Sequence, residues 1–208
     1  MSSKFIIIRV LLFVLLVVGT TSAMIAQDND FATWTKFKVN HKIDSRFAVS
    51  GDLELRTEDD MSAIDRWGIS VGGDYRAFSF LKFEIGYETH YRNLGEIGWK
   101  FRHRYRIGAT ASFRYQWLKM SLRERFQQTF DRGESETRLR SQPKLGYAPQ
   151  KGIVSPYFSI EIYQSLDDAP FWRTARLRYR PGIEIDLTKR WSLDAFYCYQ
   201  YESSRGKH

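Results

Sequence analysis

The chain has 208 residues, a formal net charge of +8 and 16% aromatic residues, a length that suits one domain of ordinary size. A single cysteine, Cys198, excludes an internal disulfide and a thiolate metal cluster, and reads as a small buried filler. The cationic excess falls on alternate positions rather than in one patch or helix, which argues against nucleic acid as a partner.

The N-terminus comes first. Lys4 and Arg9 give a basic start, Val10–Gly19 an apolar run, and Thr20–Ala26 a polar, small-residue end. The pattern predicts a signal peptide over 1–26, cleaved after Ala23 or Ala26. Cleavage would remove Lys4 and Arg9 and lower the charge from +8 to +6. Residues 27–208 then form one domain, with no stretch long enough for a membrane helix.

Ten strand segments follow, each alternating residue by residue. The first sets Thr35, Phe37, Val39, His41 and Ile43 against Lys36, Lys38, Asn40 and Lys42. The second sets Phe47, Val49, Leu53 and Leu55 against Arg46, Asp52, Glu54 and Arg56. The third opposes Trp67, Ile69, Val71 and Tyr75 to Arg66, Ser70, Asp74 and Arg76. The fourth opposes Leu81, Phe83, Ile85, Tyr87 and Tyr91 to Lys82, Glu84, Glu88, His90 and Arg92.

The fifth is the clearest: Trp99, Phe101, Tyr105, Ile107 and Phe113 alternate with Lys100, Arg102, Arg104, Arg106 and Arg114. In the sixth, Leu118, Met120, Leu122, Phe126 and Phe130 oppose Lys119, Arg123, Arg125 and Gln127. The seventh is weaker, with Leu139, Leu145 and Tyr147 against Arg138, Arg140 and Lys144, and Pro143 marking a bulge or an end. Phe158, Ile160 and Ile162 carry the eighth, opposite Ser159, Glu161 and Tyr163. Ala175, Leu177, Tyr179, Ile183 and Ile185 carry the ninth, opposite Arg176, Arg178, Arg180, Glu184 and Asp186. The tenth runs from Trp191 to Tyr201.

Period two sustained over roughly ten residues is the pattern of transmembrane strands. Strands of soluble meanders are usually about five or six residues long. Connections at Asp44–Ser45, Ser79, Tyr115–Gln116 and Thr188–Arg190 read as tight; those at Glu58–Asp65, Asn93–Gly98, Asp131–Glu136 and Ser165–Pro170 read as longer, with Ala148–Ser155 breaking the alternation. The expected fold is therefore all-β: an antiparallel up-and-down transmembrane barrel of about 10–12 strands in a bacterial outer membrane.

Energetics orient its wall. An arginine or lysine facing lipid at midplane costs about 2–4 kcal/mol, and a folded domain is stable by only about 5–15 kcal/mol. Arg66, Arg76, Arg102, Arg104, Arg106, Arg123, Arg125, Arg176, Arg178 and Arg180 must therefore face inward, where Glu54, Asp74, Glu84, Glu88, Glu161 and Glu184 share their parity. These residues form a predicted lumen charge network. Such a network either fills the lumen as an ion-pair scaffold or lines a narrow anion-favouring channel.

Several residues stand out against this pattern. The six tryptophans lie near strand starts, as interfacial belts require, although Trp34, Trp117 and Trp172 sit on the polar parity. Glu124 sits on the apolar parity, and a bulge that turns it inward between Arg123 and Arg125 is the expectation. His90 and His103, with Ser62 or Ser70, are the only candidates for lipid-modifying chemistry, and no GxSxG elbow accompanies them. Glu58, Asp59, Asp60 and Asp65 form an acidic loop without EF-hand spacing, which reads as solvated.

Trp34, Asp65-Arg66-Trp67, Phe101-Arg102-His103-Arg104-Tyr105, Ser121-Leu122-Arg123-Glu124-Arg125-Phe126-Gln127-Gln128 and Leu139-Arg140-Ser141 together resemble the family catalogued as domain of unknown function 2490. The resemblance covers nearly the whole chain after the signal and implies an exported outer-membrane β-barrel, surrounded by outer-membrane lipids and inserted by the barrel-assembly machinery. It supplies no catalytic residue, ligand, cofactor or oligomeric state. One departure is visible: Ser203–His208 reads as a loop where a closing aromatic strand is expected. The expectation is a structural barrel with an arginine- and acid-filled lumen and no enzymatic role. A channel, a lipid-modifying enzyme and a soluble periplasmic lipid-binding barrel are the alternatives.

Overall fold

The computed structural model describes residues 32–131, 133–149, 152–167, 173–188 and 190–202. The predicted signal peptide, Trp172 and the segment 203–208 lie outside these residues. One antiparallel sheet takes up nearly all of what is described, in up-and-down order: β1 (Trp34–Lys42), β2 (Phe47–Glu58), β3 (Ala63–Arg76), β4 (Leu81–Asn93), β5 (Trp99–Tyr115), β6 (Leu118–Asp131), β7 (Glu134–Tyr147), β8 (Val154–Ser165), β9 (Arg173–Asp186) and β10 (Ser192–Phe196), with β11 (Tyr199–Glu202) also paired to β9. From β2 to β9 every strand has 12 or more residues, and β5 has 17. These lengths exceed the roughly 9–11 residues that a tilted strand needs to cross a bilayer.

The ladders are regular because the alternation is regular. Register shifts occur between Arg56 and Thr57 in the β2–β3 ladder and between Tyr163 and Gln164 in the β8–β9 ladder. The single tenth strand expected from the sequence is broken at Tyr197–Cys198. Both pieces keep one register against β9, Phe196 facing Gly182 and Tyr199 facing Tyr179. The gap lies opposite Pro181, whose ring nitrogen has no hydrogen to donate; Tyr197 still donates its N–H to the Pro181 carbonyl at 3.0 Å.

Pro143 does not end β7. It pairs with Leu122 on the β6 side, and the β7–β8 pairing is interrupted at Gln142 and Pro143 without a change of register. The missing N–H is thus accommodated on one flank of a continuous strand.

Strands extend further into the connections than the sequence suggested. One rim carries the turns 43–46, 77–80 and 116–117 and the connections from β7 to β8 and from β9 to β10; the other carries 59–62, 94–98 and the connections from β6 to β7 and from β8 to β9. The expected contrast between tight and long connections largely disappears, because β3, β6 and β7 absorb residues assigned to loops. The tip of the 59–62 turn is formed by Asp59, Asp60 and Met61, all with positive φ.

The sheet curls until its ends meet through side chains. Trp34 of β1 lies 6.2 Å from Phe196 of β10, and Phe37 of β1 lies 6.2 Å from Trp191 beside β10. Burial across the wall is inverted relative to a water-soluble sandwich: Glu161 is 0% exposed, whereas Ile107 is 60% exposed. Phe37, Leu53, Ile69, Ile85, Phe113 and Phe158 all lie on the open outer surface.

Candidate functional site

The inward positions gather the charged residues into linked clusters. The most buried is centred on Glu161 of β8. Its carboxylate accepts from Arg140 of β7 and Arg180 of β9, each at 2.5 Å, from Tyr163 at 3.0 Å and from Gln142 at 3.1 Å. Arg178 approaches to 3.6 Å and donates to the Tyr163 hydroxyl at 2.6 Å. Three guanidinium groups from two strands thus converge on one carboxylate, which is the pairing a buried charge requires.

Glu88 anchors a second cluster, with Arg104 at 3.3 Å, Arg106 at 3.5 Å and His90 Nδ1 at 3.5 Å. Glu54 anchors a third, with Arg56 at 2.7 Å, Lys36 at 3.2 Å and Arg66 at 3.8 Å. Glu84 pairs with Arg125, Asp74 with Lys82, Glu184 with Lys144, Arg102 with Asp131 and Arg176 with Glu202. Arg123 reaches Gln142, not a carboxylate. Arg76 stands exposed at the end of β3.

Glycines on the inward parity make room for these reaches. Arg106 faces Gly86 across the β4–β5 ladder and passes over it to Ser70 of β3 at 3.4 Å. A Cβ on Gly86 would stand 2.4 Å from the Arg106 Nε. Arg125 faces Gly108 and passes over β5 to Glu84. Tyr157 faces Gly182 and passes over β9 to Asp194 of β10 at 2.8 Å. In each case a long side chain crosses the neighbouring strand at a glycine to reach a partner two strands away.

The predicted network leaves out these glycines and also Arg140, which the sequence sets on the charged parity of the seventh strand and the structure pairs with Glu161. The signal for Arg140 was its parity, obscured by the weak rhythm around Pro143. The signal for Gly86, Gly108 and Gly182 was likewise parity, since glycine occurs there where a charged or polar residue is expected.

Trp34 is not a belt residue. It is half-buried, with Arg56 of β2 at 4.1 Å and Arg178 of β9 at 4.5 Å from its ring. Its polar parity aims it inward, where two guanidinium groups supply cation–π partners. Trp67, Trp99, Trp117 and Trp191 are exposed on the outside.

Glu124 does not turn inward. The β5–β6 and β6–β7 ladders run through it without a shift, opposite Ala109 and Ser141. It remains on the outer face and accepts from the Ser141 hydroxyl at 2.6 Å. That hydrogen bond takes the place of the expected bulge.

His90 is 2% exposed and faces inward. His103 faces outward within an aromatic group, 5.0 Å from Phe130 and 5.9 Å from Tyr105. The two histidines therefore lie on opposite faces of the wall. Ser62 donates to the Asp59 carbonyl at 2.6 Å in its turn, and Ser70 accepts from Arg106. Asp65 pairs with Arg92 at 3.0 Å and Arg66 at 3.5 Å. Among the described residues no group of three or more His, Cys, Asp or Glu side chains is placed to hold a metal ion. Cys198 is half-buried and free.

Residues 31–208 match the family model described as a protein of unknown function (DUF2490). No curated protein matches the chain. Among solved structures, the chain is similar to the translocator domain of autotransporter NalP from Neisseria meningitidis, with 15% identity and a TM-score of 0.48 over 83% of this chain and 75% of that one.

Proposed function

The chain belongs to the DUF2490 family, and from that premise we propose that it is an outer-membrane β-barrel whose lumen is closed midway by paired charges. It acts as a structural barrel and carries no catalytic step. Outer-membrane lipids surround it, and the barrel-assembly machinery inserts it.

The inverted burial is the observation that carries this reading. A continuous apolar outer surface would be a large liability in water, whereas in a bilayer it is the favourable face. Inside, Glu161 is fully buried among Arg140, Arg178 and Arg180, with Arg178 only 5% exposed, which supports a lumen filled by paired charges.

Single-barrel conductance in planar bilayers tests the closed lumen. The wild-type barrel is expected to stay silent, and Glu161→Ala, which releases three arginines, to give anion-favouring steps. Steady conductance from the wild type would overturn the closed-lumen reading.

A second reading, a narrow anion-favouring channel, is favoured by one observation: Arg123 makes no ion pair among the described residues, and Glu161 alone serves three arginines. Wild-type conductance with anion preference would support it.

A further inference from the structure

One sector of the inner wall lacks carboxylates of its own. From the 116–117 turn inward, the facing positions on β5, β6 and β7 are Arg114, Lys119 and Gly146; then Ser112, Ser121 and Lys144; then Thr110, Arg123 and Gln142. Arg114 and Lys119 stand directly opposite each other, an arrangement that like charges disfavour. Glu184, brought from β9, serves the end near the turn and is already paired with Lys144 and with Lys119 at 4.0 Å; deeper in, Glu84 and Glu161 lie near Arg123 but are paired with other arginines. Arg114 and Arg123 make no ion pair among the described residues. Guanidinium groups keep their charge at any ordinary pH, so the excess cannot be removed by losing protons.

The sector is also open. Arg114, Lys119 and Ser112 are exposed although they face inward, and Thr110, Ser121 and Arg123 are half-buried, whereas Ser159 and Glu161 deeper in are sealed. Thr110, Ser112 and Ser121 set short hydroxyl side chains beside the long cations. Exposed cations and hydroxyl groups near the turn thus give way to the buried Glu161 cluster deeper in.

We propose that this exposed, cation-rich sector is a binding site for a phosphate-type oxyanion. Arg123 and Arg114 supply charge-assisted hydrogen bonds, Lys119 a point charge, and the Ser112, Ser121 and Thr110 hydroxyls neutral donors to the remaining oxygens. The phosphate comes from one of two sources, a free ion or the headgroup of a membrane lipid. The proposal rests on the inward placement of these side chains and not on the closure of the lumen, so it stands or falls separately from the conductance result.

Calorimetric titration of the full, folded chain in a zwitterionic detergent tests it, with inorganic phosphate in one arm and micelles doped with short-chain phosphatidic acid in the other. Arg123→Gln is expected to weaken binding about tenfold or more, Ser121→Ala to weaken it less, and Lys100→Gln at the far rim to leave it unchanged. Retained heat-modifiable migration on gels shows that each variant is folded, and Ser112→Val, which removes a hydroxyl while keeping every charge, serves as a second probe. Arg123-dependent binding of inorganic phosphate assigns a free ion; Arg123-dependent binding of the lipid alone assigns a headgroup. Binding in neither arm, equal loss in Lys100→Gln, or equal competition by chloride would overturn the site.

Discussion

Arg125 and Arg140 stand directly opposite each other on β6 and β7, both facing inward, and each turns to a carboxylate on a different strand: Glu84 on β4 and Glu161 on β8. The pair is tolerable only because two acids pull the guanidinium groups apart. Removing either acid leaves a buried cation facing a like charge. Glu84→Gln and Glu161→Gln are each expected to destabilise the barrel by about 3–5 kcal/mol, read from urea unfolding in lipid vesicles. Adding Arg125→Gln to Glu84→Gln should recover part of the loss. Additive losses would show that the two residues do not act as a pair.

The glycine crossings predict a position-specific sensitivity to a single methyl group. Gly86→Ala places its Cβ against Arg106 and should cost about 1–3 kcal/mol, lifting Arg106 away from Ser70. Gly73→Ala, on the outer face with Ile85 at an ordinary 3.7 Å, should change stability by less than about 0.5 kcal/mol. Equal effects at the two positions would show that Arg106 does not lie across β4.

Glu124 is predicted to be a liability. Its carboxylate lies halfway along β6 on the apolar face, with Ser141 as its hydrogen-bond donor. Glu124→Leu should stabilise the chain in bilayers by about 1 kcal/mol, the net of an outward carboxylate removed and one hydrogen bond lost. A clear destabilisation in vesicles would mean that the carboxylate serves a purpose on that face.

The contacts of Trp34 with Phe196 and of Phe37 with Trp191 specify how the ends of the sheet meet. Pairing β1 antiparallel to β10 at Trp34–Phe196 gives, from the observed ladders, a stagger of about 14 residues around ten strands. The corresponding strand tilt is about 44°, within the usual range for barrels. With Cys198 replaced by Ser, cysteines at Thr35 and Ala195 should form a disulfide in the folded barrel, while Thr35 with Leu187 should not. The opposite preference would contradict this register.

Asp44 predicts a small acid dependence in the 43–46 turn. Its carboxylate accepts the backbone N–H groups of Phe47 at 2.7 Å and Arg46 at 2.6 Å, which hold it below the usual carboxylate range. A depressed folded-state pKa contributes stability that is present above the unfolded value, near pH 4, and is lost as pH falls through the folded one. Asp44→Asn should flatten that part of the acid limb and leave neutral pH behaviour unchanged. An unaltered acid limb would exclude the turn as its source.

Period two made the wall legible from the sequence. It separates Phe101 and Ile107 from Arg102 and Arg106, and it sets Arg178 and Glu161 on the same inward parity. Alternation says which face a residue takes, but not how far a side chain travels once inside. The crossing of Arg106 over Gly86, or the capture of Trp34 between Arg56 and Arg178, depends on which strands stand two apart and in what register. Glu124 was misread because a neighbour's hydroxyl, on another strand, satisfies it without a bulge. Loop lengths were misread because the polar ends of β6 and β7 continue the ladder past the apolar alternation.

The orientation of the wall is tested most directly by depth-dependent quenching of a single fluorophore in liposomes, with Cys198 replaced by Ser. A label at Ile107→Cys should be quenched by brominated acyl chains and shielded from aqueous iodide; a label at Ser112→Cys should show the reverse. Quenching of the Ser112 label by the acyl chains, with the Ile107 label open to iodide, would contradict the account.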